Sequence, residues 1–200
     1  MIWDSMVWKN ELKRELSAVV RCVKKRDIKS ESLGIKIERF YFLSAFIIRK
    51  LMEADKLSNE VSFQKIQLNF HKYINTKGFV DKFNNHHIDK FYDLENKTQV
   101  SKDLRWLCGK LIHSFCFSQV FNEANQFAGV FFNSDENKKE GLWYLGFGEY
   151  KRIVDSCIND QIIFASYNRE TSQRVLFSSK SRIEKWMVRE VARRTSKGKC

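Results

Sequence analysis

The chain has 200 residues, 43% of them hydrophobic, with 17 Phe, 6 Tyr and 5 Trp; that is enough apolar mass to fill a core unaided, which excludes a disordered chain. Lys and Arg number 36 against 24 acidic residues, a formal charge of +12, so the surrounding field favours polyanions such as nucleic acid. Five widely spaced cysteines, Cys22, Cys108, Cys116, Cys157 and Cys200, form no Cys-x-x-Cys pair and fit reduced thiols better than a disulfide framework.

In chain order, residues 2–25 read as an amphipathic helix with Trp8, Leu12, Leu16, Val19, Val20 and Val23 opposite Lys9, Lys13, Arg14, Arg21 and Lys24. Asp4 stands where an export signal would be basic, so none is expected. Residues 35–55 form a second helix, apolar nearly all round, which needs cover from several sides. Its longest apolar run, 40–48, falls short of the roughly twenty residues a membrane span requires. The expectation is a cytoplasmic protein with no membrane partner.

Residues 58–100 alternate weakly, with Val61 and Phe63 and then Ile66, Leu68 and Phe70, and suggest a strand or two followed by a short helix at 89–94. Residues 101–117 carry the clearest helical stripe: Leu104, Leu107, Cys108, Leu111, Ile112 and Phe115 share one face. Gly109 inside it reads as a point of close backbone approach. Strands follow at 127–132 and 141–150 around a polar turn at 133–140, then a hairpin of 161–167 and 173–178. Ser181 with Glu184 makes a capping box that opens a basic final helix. The predicted fold is a single α+β domain, 1–200: an N-terminal layer of three helices, within 1–117, packed on a C-terminal antiparallel meander of about four strands and closed by the basic helix, with 195–200 disordered.

Off the stripe of the third helix lie Arg105, Lys110 and His113, the candidate catalytic residues. This cluster resembles the signature of HEPN ribonucleases, in which an Arg and a His on one helix cut RNA without metal. The resemblance covers this helix alone and implies His113 as proton shuttle with Arg105 or Lys110 as phosphate clamp. The Arg105 to His113 spacing is wider than the family pattern. Glu149, Tyr150 and Lys151, with Asp135 upstream, resemble the metal-binding triplet of restriction-type nucleases, but a strand at 141–150 sets Asp135 and Glu149 nearly 30 Å apart. His71, His86, His87, Asp89 and Asp93 lack zinc spacing, and the eight glycines form no phosphate-cradling loop or dinucleotide fingerprint. No metal or cofactor is therefore expected, and enzymatic activity is kept only as an alternative to binding.

The leading expectation is a binding protein that engages nucleic acid (DNA or RNA) or another polyanion through basic helix faces: Lys9, Lys13 and Arg14 on the first helix, and Arg182, Lys185, Arg189, Arg193 and Arg194 on the last. The alternatives are a metal-independent ribonuclease using His113, and a homo-oligomeric scaffold with no nucleic-acid affinity.

Overall fold

Alternation along residues 65–72 and the apolar run 127–132 produce two inner strands of one sheet. The computed structural model describes residues 2–24, 31–74, 80–171 and 173–197. Its elements are α1 (Ser5–Lys24), α2 (Glu31–Glu53), α3 (Asn59–Ser62), β1 (Lys65–Lys72), α4 (Ile88–Phe91), β2 (Thr98–Asp103), α5 (Leu104–Ile112), β3 (Ser114–Phe121), β4 (Phe127–Ser134), β5 (Gly141–Gly146), α6 (Phe147–Asn159), β6 (Phe164–Asn168), β7 (Gln173–Phe177) and α7 (Lys180–Lys197). The fold is α+β, as the sequence predicts. Five strands run in the order β2-β1-β5-β4-β3, antiparallel throughout, while β6 and β7 pair separately.

One face of the sheet is covered by helices. Against α2 pack α1, α5 and α6, which explains why α2 is apolar nearly all round: Ile37, Phe40, Tyr41, Ile47, Ile48 and Leu51 are all fully buried. Each such side chain contributes about 1.5–3 kcal/mol relative to exposure. Tyr150 of α6 stacks on Tyr41 with ring centres 4.5 Å apart. Its hydroxyl lies 2.7 Å from Ser44 Oγ and is satisfied inside the core, whereas the buried Tyr41 hydroxyl has no hydrogen-bond partner among the described residues. A second cluster covers the opposite face, where Val80, Phe91, Tyr92, Cys116 and Leu142 are buried together. Residues 58–100 therefore supply two strands and the cover for that face.

Several elements differ from the sequence reading. The helix expected over 101–117 is split into the end of β2, the nine-residue α5 and the start of β3. Asp103 is the reason at one end: its carboxylate accepts from Trp106 N at 2.7 Å and caps the helix. At the other end His113 is the C-cap, and the chain turns into a strand. The strand expected over 141–150 stops at Gly146, where α6 begins; Phe147, Tyr150, Val154 and Cys157 then recur at helical spacing. Val61 and Phe63 belong to α3 and its C-cap, not to a strand. The four-strand meander is replaced by a five-stranded sheet, which draws β1, β2 and β3 from the region read as mainly helical, plus a separate hairpin.

At α7 the cap is shifted. The carbonyl of Ser179 receives both Arg182 N and Ile183 N, so the helix starts before the Ser181 capping box. It runs on through 195–197; residues 198–200 of the segment expected to be disordered lie outside the described residues. Nor is Gly109 a close approach: a Cβ there would sit 3.5 Å from Arg49 Nη1, an ordinary contact.

Candidate functional site

The short α5 presents two unlike faces. Leu104, Leu107, Cys108 and Leu111 are buried against the core. On the other flank Arg105, Trp106, Lys110 and His113 line an open cleft of about 720 Å³, flanked by Arg49 of α2 and by Ser134, Asp135 and Glu136 at the end of β4. The structure thus brings the three catalytic candidates into one cleft. It adds Arg49, Ser134 and Glu136, which sequence reasoning missed because only the packing of α2 and β4 against α5 brings them there.

Lys110 Nζ donates to Ser134 Oγ at 2.9 Å and to Glu136 Oε2 at 3.0 Å. An ammonium that gives its protons to a hydroxyl and a carboxylate is a donor, so Ser134 has no base beside it and is not an activated nucleophile. Arg49 pairs with Glu53 at 2.7 Å, and Asp135 with Lys138 at 2.7 Å. Among the described residues, Arg105 and His113 enter no ion pair. They lie eight positions apart, about 12 Å along the helix axis. Trp106 is held edge-to-face on Trp143 with ring centres 5.1 Å apart.

The restriction-type triplet does not assemble. Glu149 and Lys151 sit on α6 two positions apart, roughly 200° around the helix from each other, and are engaged by Arg152 and Asp155 respectively. His71 is buried, its Nδ1 3.0 Å from the Asp93 carbonyl. Among the described residues no three His, Cys, Asp or Glu side chains gather to hold a metal ion. Cys108, Cys116 and Cys157 are not poised as thiolates, because burial pushes their thiols well up, Cys116 and Cys157 to about 12.

The cations assigned to nucleic acid fall into three groups. Lys9 is a correction: it is only 4% exposed and donates to the Asp160 carbonyl, because the end of α6 covers what the helical wheel shows as a polar face. Lys13 and Arg14 are exposed. Arg14, paired with Glu11, lies with Arg21, Lys36 and Arg39 in a cleft of about 440 Å³ between α1 and α2, where, among the described residues, Glu15 is the one acidic lining residue and pairs with Arg39 at 2.6 Å.

On α7, Arg182, Lys185 and Arg189 line a groove of about 380 Å³ whose floor is Phe177 and Trp186, with no carboxylate in its lining among the described residues. Trp186 packs on Phe164 and Phe177 with ring centres 5.4 and 6.2 Å away. Arg193 and Arg194 continue the helix, their side chains outside the described residues. The two basic surfaces do not merge. Arg174 of β7 pairs with Asp55 just beyond the end of α2, whereas Lys36 and Arg39 stand near its start, with about 25 Å of helix between.

No helix among the described residues is long and apolar enough to cross a membrane. No known protein family, curated protein or solved structure matches the chain.

Proposed function

We propose that the protein binds single-stranded nucleic acid through the groove on α7. The observation that carries this reading is the coincidence of three cations, Arg182, Lys185 and Arg189, with an aromatic floor of Trp186 and Phe177 and, among the described residues, no lining carboxylate. Cations along one wall track a phosphate backbone, and rings offer bases a stacking surface worth about 1–3 kcal/mol per base. Arg182 lies 3.7 Å from Glu60, a long pairing that leaves its fork open to a phosphate. The cleft between α1 and α2 adds a second cationic surface, which raises the attraction of the whole chain for polyanions without sequence preference.

The test is fluorescence anisotropy with a labelled oligouridine across a salt series. Binding tightens as salt falls, with log K declining by about 0.7 per neutralised phosphate for each unit of log salt. The pair Lys185→Glu and Arg189→Glu, both exposed, lowers affinity and flattens that slope by about 1.4. Absence of binding at low ionic strength, or an unchanged slope in the double variant, refutes the reading.

A further inference from the structure

We propose that the cleft on the flank of α5 is a separate binding site for a small phosphate ester carrying a flat ring, the class to which nucleoside monophosphates belong. Its volume of about 720 Å³ falls within the range of small-molecule sites, about 300–1,000 Å³. The argument rests on which groups in the wall are already committed. Asp103 is used in capping α5, Asp135 is paired with Lys138 and Glu136 with Lys110. Among the described residues, Arg105 and His113 are left as donors with no acidic partner. A wall whose carboxylates are occupied and whose guanidinium is not selects a ligand that brings its own acceptors.

Shape narrows the class. Arg105 and His113 are spread over about 12 Å of helix, so a lone oxyanion satisfies one end only. A ligand with a phosphate at one end and ring acceptors at the other reaches both. Beside them in the cleft wall stands Trp106, braced edge-to-face by Trp143 and with Lys102 Nζ 5.1 Å from its ring centre, and a flat ring gains by packing on the indole in place of that ammonium.

This site does not depend on the α7 groove, and the experiment separates the two. Isothermal titration is carried out on the full chain with adenosine 5′-monophosphate, adenosine and inorganic phosphate. The monophosphate is expected to bind with a Kd below about 1 mM, adenosine and phosphate each about tenfold or more weaker. Arg105→Ala weakens the monophosphate about tenfold while leaving adenosine unchanged, and Arg105→Lys, which keeps the charge without the fork, falls between. Lys185→Glu in the α7 groove leaves monophosphate binding intact although it weakens oligouridine. The proposal is overturned by no detectable monophosphate binding at millimolar concentration, by equal affinity in Arg105→Ala, or by loss of binding in Lys185→Glu. Arg105 is exposed and outside the core, so its variants report on binding and not on folding.

Discussion

The carboxylate of Asp160 receives two hydrogen bonds from Ser58, from the backbone N at 2.6 Å and from Oγ at 2.8 Å. Both residues are buried. The same Asp160 accepts Lys9 through its carbonyl, so one residue after α6 ties down the start of α3 and the side of α1. Asp160→Ala leaves a buried hydroxyl and a buried N–H without an acceptor and is expected to cost about 2–4 kcal/mol in urea unfolding. Ser58→Ala costs less, since it keeps the backbone donor. A double-mutant cycle yields a coupling of about 1 kcal/mol or more; additive effects contradict the contact.

Stability declines in alkali. Burial raises Cys108, Cys116 and Cys157 above their ordinary value of 9.0 and Tyr41 and Tyr150 above 10.0. Unfolding restores the ordinary values, so above pH 9 the unfolded chain binds fewer protons than the folded one, and stability falls as pH rises. The contribution is complete below about pH 8.5 and is lost through pH 9–12, at up to about 1.4 kcal/mol per pH unit for each group. Thermal melting from pH 7 to 11 checks this, and a melting temperature that stays flat to pH 11 contradicts it.

The same burial governs thiol labelling. Iodoacetamide at pH 8 followed by peptide mass mapping modifies Cys22, which is half-exposed, and spares Cys108, Cys116 and Cys157 until the chain unfolds. Rapid labelling of Cys157 in the folded protein contradicts the packing of α6.

Three glycines respond differently to alanine. At Gly129 a Cβ collides with the Leu145 carbonyl and comes within 2.9 Å of Gly146 Cα, and at Gly141 it meets the Phe70 ring. Gly129→Ala and Gly141→Ala each cost about 1–3 kcal/mol by overpacking. Gly109 is in a helix interior with room for a methyl group, so Gly109→Ala is expected to stabilise by about 0.5–1 kcal/mol. Urea midpoints order the three.

What the sequence made legible follows from where its patterns are local. The stripes of α1 and α2 and the apolar run of β4 are visible because each is a single period over a single element. The ends of α5 were hidden because Ile112 and Phe115 extend its stripe in phase, although Asp103 three residues before Trp106 is a readable cap. In α6 the helical spacing of Tyr150, Val154 and Cys157 was masked by the apolar strand running into it. The three residues of the α5 cleft were legible as a flank, but Arg49 and Glu136 were not. Lys9 failed for a related reason: a helical wheel shows which residues share a face, and only tertiary packing decides whether that face meets water or the end of another helix.

The strand order has a consequence for synthesis. Strands β2 and β1 form one pair and β3 and β4 another, and β5 joins them by pairing with β1 on one side and β4 on the other. Until Gly146 leaves the ribosome, both β1 and β4 present an open edge, and the bed on which α2 rests is incomplete. A nascent chain halted before residue 141 is therefore two sticky half-sheets, a state prone to pair with its neighbours on a polysome. Emergence of β5 is the moment at which the chain ceases to be a hazard to other copies of itself.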